Sequence, residues 1–304
     1  MDRLRALEVF VAVVARGGFA RAADALDTSP ANVTRYVAEL EAHLGTRLLH
    51  RTSRRVSLTE AGEAYYERAR TILDEMAEAE AAATASASGA RGRLRINAPL
   101  VFGARHLAPL WPRFMALNPE VELDIALTDR IVDLVEEGYD LGIRISRGGS
   151  QHYVSRKLAT SRNIICASPA YIARYGAPDV PADLAGHRCV VYGYAPEPEI
   201  WTFLGADGRE ARVRVGIRLR TNSGDTARAV ALAGEAITWQ PDFLIGGDVR
   251  AGTLVPLLPG WRLPDIDILA LYPSRRHLSA KVRLMVDFLA AAFHGALPWE
   301  APTG

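Results

Sequence analysis

Several features are scarce in this chain of 304 residues, and each shortage excludes a class of protein. Only two cysteines are present, which excludes a secreted scaffold held together by several disulfides. No run of apolar residues reaches the length of about 20 that a membrane-spanning helix needs. The N-terminal stretch MDRLRALEVF lacks the pattern of a secretory signal peptide. We therefore expect a cytoplasmic protein that does not enter a membrane.

Neither sign of charge is in large excess, since 36 Lys and Arg residues face 35 Asp and Glu residues and the net charge is +1. Any affinity for DNA must therefore come from local patches of charge. Only two of the basic residues are lysines, so arginine is abundant throughout the chain and is informative only through its position. The length suggests about two domains, and 49% hydrophobic residues are ample for their cores.

Motifs that mark enzymes and metal sites are also missing. The sequence contains no G-x-S-x-G, no phosphate-binding P-loop and no H-E-x-x-H, and its seven histidines are scattered. Cys166 and Cys189 lie in apolar runs, so buried strand positions are the favoured interpretation and a redox pair is the alternative. We therefore expect no enzymatic activity, no cofactor and no bound metal.

The chain does contain a pattern of short helices at its N-terminus. A first segment from Leu4 to Val14 has helical spacing of its apolar residues, and an alanine-rich segment follows. Thr28 or Ser29 can cap a third helix, in which Pro30 suits the first turn and Gly45 closes the last. Apolar residues at helical spacing predict the buried face of this third helix: Val33, Val37, Leu40 and Leu44.

Small and polar residues occupy the outer face of the third helix near its N-terminal end. Such side chains suit the major groove, where Arg pairs with guanine, Asn with adenine and the Thr methyl group with thymine. The alternative is the solvated outer face of an ordinary helix. We predict DNA contacts from seven residues of this region: Ser29, Pro30, Ala31, Asn32, Thr34, Arg35 and Tyr36.

A cluster of arginines follows this helix directly. Four of them fall within nine residues that contain no acid: Arg47, Arg51, Arg54 and Arg55. Apolar residues on both sides of the cluster predict two short strands, which together form a wing. Arginines on a wing can bind phosphates or enter a minor groove. We therefore add Arg51, Arg54 and Arg55 to the predicted DNA contacts.

This part of the sequence resembles the LysR-type transcriptional regulators. The motifs that match are Ala22-Ala23-x-x-Leu26, Ser29-Pro30-x-x-Val33-Thr34-Arg35, Leu40-Glu41-x-x-Leu44-Gly45-x-x-Leu48-Leu49-x-Arg51-Thr52 and Leu58-Thr59-x-Ala61-Gly62. The layout of the remaining chain also fits, so the resemblance covers nearly all of it. It implies an N-terminal all-α winged helix-turn-helix domain over residues 1–59 and a linker helix with a hinge over 60–91. A C-terminal α/β domain over 92–304, two-lobed like the periplasmic binding proteins, would follow.

The linker helix carries a narrow apolar seam. Thr59 can cap this helix, which we expect to run to about residue 86. The seam residues alternate by four and three: Tyr65, Ala69, Ile72, Met76 and Ala79. A homodimer interface is the favoured interpretation, and packing against the chain's own wing domain is the alternative. Two recognition helices held by this seam would read two half-sites of a dyad.

From residue 93 onward, predicted strands alternate with predicted helices, which indicates an α/β fold with largely parallel sheets. The predicted strands are 93–97, 121–127, 141–145, 164–167, 213–219, 236–239 and 266–271. The predicted helices are 103–117, 130–137, 169–175, 223–233 and 279–293. The resemblance implies a first lobe formed by 92–161 and 267–304 and a second lobe formed by 162–266, with an effector bound between them.

Ligands in α/β folds bind beyond the carboxyl ends of strands, and this rule selects the candidate effector contacts. They are Pro99, Leu100, Val101, Phe102, Thr128, Ser146, Phe203, Asn222, Ser223 and Trp239. Many relatives carry a hydroxyl residue where this chain has Pro99, so one donor for an anionic effector is missing here. The aromatic side chains would favour a flat or apolar ligand, and core packing is the alternative for each of them.

We therefore expect a LysR-type regulator that binds a dyad operator in double-stranded DNA. Family resemblance implies a homodimer or a homotetramer, a small-molecule effector, and RNA polymerase as a further partner. The alternative is a solute-binding module that does not bind DNA. That alternative would explain the two lobes but leaves residues 1–60 without a role.

Overall fold

The computed structural model describes residues 2–52, 55–83, 90–148, 152–273, 278–295, 297 and 299. The chain divides into two compact units, Met1–Gly92 and Arg93–Gly304, and each is described by itself. In the part that the structure describes, no helix combines the length and the apolar character needed to cross a membrane.

The first unit is built from three short helices, a two-stranded wing and one long helix. These elements are α1 (Arg3–Ala15), α2 (Phe19–Ala25), α3 (Pro30–Leu44), β1 (Leu49–Thr52), β2 (Arg55–Leu58) and α4 (Glu60–Ala83). The Ser29 hydroxyl accepts the N–H of Asn32 and caps α3, and Gly45 ends that helix with a φ of 68°. The prediction left the cap open between Thr28 and Ser29, and the structure selects Ser29. The end of the helix at Gly45 is as predicted. Leu44 differs from the prediction because it is exposed, and the buried face of α3 ends at Leu40.

Side chains of two motif residues, Glu41 and Thr59, fasten the wing to the helices. The Glu41 carboxylate accepts the N–H groups of Leu48 and Leu49 at 2.9 and 3.1 Å. The Thr59 hydroxyl donates to the carbonyl of Arg47 at 2.7 Å and accepts the N–H of Gly62 at 2.9 Å. Thr59 therefore caps α4 as predicted and also holds the chain just before β1.

Helix α4 is divided along its length between buried and exposed apolar residues. Tyr65 lies 5.7 Å from the ring of Phe10, and Ala69 is fully buried in the core of the first unit. Further along, 51% of Ile72 and 38% of Met76 are exposed. The N-terminal half of the predicted seam thus packs within its own unit, which was the alternative interpretation. The side chain of Ala79, also a predicted seam residue, lies outside the described residues.

The second unit contains 13 strands, of which the first begins at the unit boundary. In chain order they are β3 (Gly92–Ala98), β4 (Val121–Leu127), β5 (Leu141–Ser146), β6 (Val154–Ser161), β7 (Asn163–Ala167), β8 (Arg188–Tyr192), β9 (Ile200–Gly205), β10 (Glu210–Arg214), β11 (Gly216–Thr221), β12 (Thr238–Pro241), β13 (Val255–Pro256), β14 (Trp261–Arg262) and β15 (Ile266–Tyr272). These counts refer to the described residues.

Helices lie between these strands. They are α5 (Leu100–Phe102), α6 (Trp111–Leu117), α7 (Pro169–Tyr175), α8 (Gly224–Leu232), α9 (Asp242–Arg250) and α10 (Ala280–Ala292). A short π-helix at Gly103–Leu107 and a 3-10 helix at Ala108–Leu110 connect α5 to α6. Pro181–Gly186 forms another 3-10 helix.

The strands form two groups, one for each lobe. A five-stranded sheet has the order β4-β3-β5-β15-β6. The other group comprises three small sheets of order β12-β7-β13, β11-β8 and β10-β9-β14. The chain leaves the first group after Ser161, enters the second at Asn163, and returns at Ile266. The predicted combination of a helix-turn-helix unit and a two-lobed α/β unit is confirmed.

The prediction of largely parallel sheets is wrong. Strand β15 runs antiparallel to both β5 and β6, and β12 and β13 run antiparallel to β7. Parallel pairing joins β3 to β5 and β8 to β11. The reason is that β15 returns from the other lobe, so it enters the five-stranded sheet from the end at which β6 leaves.

Two segments of the second unit also differ from the predictions. The predicted helix 130–137 is absent: residues 131–133 are irregular and 134–138 form a turn. The Asp133 carboxylate accepts the N–H groups of Val135 and Glu136, at 2.9 Å each, in competition with a helix. The predicted strand 213–219 is two strands, since β10 ends at Arg214 and β11 begins at Gly216. Strands β6, β9, β13 and β14 were not predicted, and β8 was predicted only through the buried strand position of Cys189.

The structure explains why position 62 is a glycine. A Cβ there would lie 1.9 Å from the carbonyl oxygen of Leu48, and that oxygen belongs to backbone, which cannot easily move. We expect Gly62→Ala to lower the free energy of unfolding of the first unit by about 1–3 kcal/mol. Urea unfolding of the full chain, followed by circular dichroism, measures this change. The control is Glu63→Ala at the exposed next position; equal unfolding midpoints for the two variants would contradict the clash.

Candidate nucleic-acid interface and ligand cleft

The N-terminal half of α3 presents an exposed surface that carries no acidic residue before Glu39. Local hydrogen bonds order its side chains, since Thr34 donates to the carbonyl of Pro30 at 2.9 Å and Asn32 donates to the Thr28 hydroxyl at 3.4 Å. The exposed residues are Ser29, Pro30, Ala31, Asn32, Thr34 and Arg35. Tyr36 is half-buried and packs against the core of the first unit.

Arg35 is held by weak contacts on this surface. Its guanidinium lies 5.1 Å from the centre of the Tyr36 ring and 3.7 Å from the Glu39 carboxylate, and its side chain is 59% exposed. An exposed ion pair of this kind contributes little to stability, so Arg35 can exchange Glu39 for another acceptor at small cost. The Tyr36 ring meanwhile keeps the guanidinium near the surface of the helix.

The wing forms by antiparallel pairing of β1 and β2, in which Arg51 faces Val56 and Thr52 faces Arg55. This register places the backbones of Arg51 and Arg55 near the tip of the wing. Their side chains, and all of Arg54, lie outside the described residues. Arg47 is exposed at the base of the wing.

In the second unit, the end of β4 is joined to the start of α5. The Asp129 carboxylate accepts the N–H of Leu100 at 3.1 Å, and the Thr128 N–H donates to the carbonyl of Ala98 at 2.9 Å. Pro99 occupies the cap position of α5 and has no side-chain acceptor for that helix. Asp129 therefore caps α5 from a neighbouring strand. Its carboxyl is half-buried, which raises its pKa, and the Leu100 N–H opposes the rise.

Two tyrosines lie at the carboxyl end of β8 in the second lobe. Tyr192 ends β8 and Tyr194 follows it; their rings are 5.9 Å apart and nearly perpendicular, at 89°. The side-chain amide of Asn222 donates to the Tyr194 hydroxyl at 3.0 Å. Burial raises the pKa of Tyr192 to about 12, and the negative charge of Asp129 adds to the rise.

The structure separates the predicted effector residues into exposed and buried sets. Leu100 is 47% exposed, and Asn222 is also exposed. The residues that are half-buried are Pro99, Thr128, Ser146, Ser223 and Trp239. The Ser223 hydroxyl caps α8 by accepting the N–H of Thr226 at 3.2 Å, and Trp239 packs against the core of the second lobe.

Three predicted effector residues are buried instead of exposed. Phe203 belongs to the core of the second lobe, and Val101 is also buried. Phe102 packs against the rings of Phe243 and Trp299, with centroids 5.2 and 5.8 Å away. These side chains present almost no surface, and that they contact a ligand stays a prediction. Each follows a strand or lies within one, and sequence position does not reveal which face it occupies.

Hydrogen bonds and an ion pair of residues 105 and 106 join the two lobes. The Arg105 guanidinium donates to the carbonyl of Leu244 at 3.1 Å and forms an ion pair with Asp225. His106 Nε2 donates to the carbonyl of Phe243 at 2.9 Å. Burial lowers the pKa of His106, its bond to the Phe243 carbonyl opposes the change, and the charge of Arg105 lowers the pKa further.

Both cysteines are free and buried, Cys166 in β7 and Cys189 in β8, as the favoured interpretation predicted. Burial raises the pKa of each thiol to about 12, so both thiols stay protonated near neutral pH. Among the described residues, no group of three or more His, Cys, Asp or Glu side chains is arranged to hold a metal ion.

A winged helix-turn-helix unit followed by a two-lobed α/β unit defines a ligand-responsive transcriptional regulator. Comparison with known families agrees with this class. Residues 4–63 match the family described as "Bacterial regulatory helix-turn-helix protein, lysR family", and residues 87–294 match "LysR substrate binding domain". The chain belongs to the LysR family of DNA-binding transcriptional regulators with an effector-binding domain, and the predicted family is confirmed.

Individual relatives span nearly the whole chain. The transcriptional regulator DmlR of Escherichia coli is 38% identical over 291 residues, which cover 95% of this chain and 94% of DmlR. The solved structure of CrgA from Neisseria meningitidis is 32% identical with a TM-score of 0.60, and covers 96% of this chain and 99% of that one. The full-length structure of AphB, a virulence activator of Vibrio cholerae, is 29% identical with a TM-score of 0.58 and the same coverage. Such regulators are generally not enzymes.

The rule of strand ends reaches Asp129, which directly follows Thr128, but the sequence prediction missed Tyr192 and Tyr194. The signal for the tyrosines was the apolar run that starts at Cys189, because a strand there would put Tyr192 at its carboxyl end. The signal for Asp129 was its place after the strand that ends at Leu127.

The lowered pKa of His106 predicts a loss of stability in acid. As the pH falls below the ordinary value of 6.5, the unfolded chain binds a proton at this residue before the folded chain does. Stability is therefore full above that pH and declines as the pH falls toward the lowered pKa. His106→Gln keeps an N–H donor for Phe243 and does not titrate, so its melting temperature should fall less than that of the wild type.

Melting temperatures measured at steps from about pH 7 to about pH 5.5 provide this test, because the window spans the ordinary histidine pKa. The control is His43→Gln, at an exposed position of the first unit, which should keep the wild-type profile. Parallel pH profiles for wild type and His106→Gln would show that His106 does not contribute.

Proposed function

We propose that this regulator binds a dyad-symmetric operator as a homodimer or homotetramer, and that a small molecule bound between the lobes changes transcription. The DNA contacts would come from α3 and the wing. The proposed lobes are 92–161 with 267–304, and 162–266, joined to the DNA-binding residues 1–59 by the linker 60–91. Because DNA is the partner, the cytoplasm is the proposed compartment.

The observation that carries the DNA contacts is the exposed, acid-free surface at the N-terminal half of α3. Helices of winged helix-turn-helix domains enter the major groove by this end, and side chains of this size reach base edges there. The proposed contacts of α3 are Ser29, Pro30, Ala31, Asn32, Thr34 and Arg35, with Tyr36 supporting Arg35. Arg51, Arg54 and Arg55 of the wing would bind phosphates.

Exposed apolar residues on α4 support pairing with a second copy of the chain. Ile72 and Met76 are four positions apart, so they lie on one face of the helix, and both are exposed in the single chain. Ala79 follows Met76 by three positions, which continues the alternation of four and three along the helix. Tyr65 and Ala69 pack within the first unit and would fix the direction of the helix that carries this face.

The proposed effector cleft lies between the lobes, beyond the carboxyl ends of strands. Its proposed lining consists of Pro99, Leu100, Thr128, Ser146, Asn222, Ser223 and Trp239. If the effector binds one arrangement of the two lobes more tightly than another, it shifts the equilibrium toward the arrangement that it prefers. In a homo-oligomer this shift would change the spacing of the α3 helices, the bending of DNA and the access of RNA polymerase.

DNase I footprinting of the DNA upstream of the protein's own gene tests this proposal. Protection of two blocks related by a dyad, with a hypersensitive site between them, is the expected result for an oligomer that bends DNA. Protection of a single half-site, or no sequence preference in a genome-wide pull-down, would overturn the proposed dyad.

Arg35→Ala tests whether α3 reads the sequence. We expect it to weaken binding to the operator by about 1–3 kcal/mol while changing non-specific binding much less. Fluorescence anisotropy with operator DNA and with scrambled DNA measures both quantities. The control is His43→Ala, an exposed position at the other end of α3, which should bind like the wild type. An unchanged preference for the operator in Arg35→Ala would remove α3 from the proposal.

Arg54→Ala tests the wing. Because a phosphate contact is independent of sequence, we expect weaker binding to operator and scrambled DNA alike. The slope of log affinity against log salt should become shallower by about one unit. Titrations at several salt concentrations measure this slope, and an unchanged slope would show that Arg54 does not bind a phosphate.

A further inference from the structure

Trp299 lies beyond α10 and contacts both lobes, although only 4% of it is exposed. In the first lobe, its ring packs against Phe102 and His106, with ring centroids 5.8 and 4.8 Å away. In the second lobe, the ring of Phe243 lies 6.1 Å away. The Trp299 carbonyl also accepts a hydrogen bond from the Arg250 guanidinium at 3.1 Å. A single residue is thus bound to side chains of both lobes.

The contact with the second lobe extends along the whole of α9. Phe243 is in the first turn of that helix, and Arg250 is its last residue. Between them, Gly246 lets the helix come close, because a Cβ at this position would lie 2.9 Å from the carbonyl oxygen of Trp299. Helix α9 is therefore the element of the second lobe that Trp299 holds.

The start of α9 is also joined to the point where the chain passes from the first lobe to the second. The Asp242 N–H donates to the carbonyl of Arg162 at 2.8 Å, and the Asp242 carboxylate accepts the Ser161 hydroxyl at 2.6 Å. Asp242 itself is buried. A rotation of the second lobe about this crossover would therefore change the distance between the far end of α9 and Trp299.

Two features weaken the contact between Trp299 and α9. The indole N–H of Trp299 is buried and has no acceptor among the described residues, which destabilises the state that buries it. A cavity of about 260 Å³ lies beside the contact, and Arg105, Phe243 and Trp299 are among its lining residues. Protein interiors are normally packed without voids of this size. A modest change in free energy is therefore enough to open the contact.

We propose that Trp299 is a latch that holds α9 against the first lobe, and that its release shifts the lobes toward a second arrangement. The inference goes beyond the proposed function, because it concerns the contact itself and needs neither DNA nor an effector. A ligand that prefers the second arrangement would act against this latch.

The distance between two spin labels, one on each lobe, tests the latch in the full-length protein. Ala173→Cys on α7 and Arg283→Cys on α10 provide exposed helical positions for the labels. The native thiols of Cys166 and Cys189 are buried, and the pKa of each is raised to about 12, so they react slowly. An excess of unlabelled protein restricts the measured distances to pairs within one chain. Pulsed dipolar electron paramagnetic resonance then gives the distribution of inter-lobe distances.

We expect Trp299→Ala to raise the share of chains at a second inter-lobe distance about tenfold. Trp299→Phe keeps an aromatic ring and removes the buried N–H, so it should keep the wild-type distribution. Arg250→Ala removes only the bond to the Trp299 carbonyl at an exposed position, and should shift the distribution in the same direction by less. This variant decides the question if Trp299→Ala does not fold. An unchanged distribution in Arg250→Ala and in any folded Trp299→Ala would overturn the latch.

The control for a general loss of stability is Phe114→Ala, because the ring of Phe114 is buried and packs against Phe288 within the first lobe. We expect this variant to lower the melting temperature and to leave the inter-lobe distance unchanged. The same change of distance in Phe114→Ala and Trp299→Ala would overturn the latch, since it would reflect a loosened first lobe.

Operator footprinting of Trp299→Ala without effector distinguishes failure of this inference from failure of the proposed function. A changed inter-lobe distance together with a changed spacing of the protected blocks supports both. A changed distance with the wild-type footprint supports the latch and contradicts the proposed coupling between the lobes and DNA. An unchanged distance with a dyad footprint overturns the latch and leaves the proposed function intact.

Discussion

The second unit depends on one constraint: the sheet of its first lobe is complete only when the chain has returned from the second lobe. Strand β15 lies between β5 and β6, and its central residues Ile268 to Leu271 are buried. It pairs antiparallel with both neighbours. The second lobe is therefore an insertion whose two ends are both fixed by the same sheet, and the space between the lobes follows from that connection.

The chemistry of this space is set by residues that support the backbone. Pro99 removes a side-chain cap from α5, and Asp129 provides one from the next strand, so the capping group brings a negative charge. Across the space, pairing of β8 with β11 places Tyr192 opposite Thr221, and Asn222 follows directly.

In the first unit, the side chains that stabilise the fold also position the surface that faces DNA. Glu41 is on α3, and its carboxylate holds the start of the wing, while Thr59 holds the base of the wing and begins α4. The surface left exposed on α3 contains short side chains and one arginine near its N-terminal end. Because α3 is fastened at its other end, those side chains are presented from a rigid element, which favours specific recognition.

The sequence by itself determined the parts that depend on neighbours a few residues away. Caps at Ser29 and Thr59, the stop at Gly45 and the buried cysteines were predicted because each rests on local hydrogen bonds or a short apolar run. Only the tertiary structure decided the direction of β15, the burial of Phe102 and Phe203, and the contacts of Arg105 with Leu244 and of His106 with Phe243. These features join residues that are far apart in the chain, and the lobe crossing that brings them together leaves no periodic signal in the sequence.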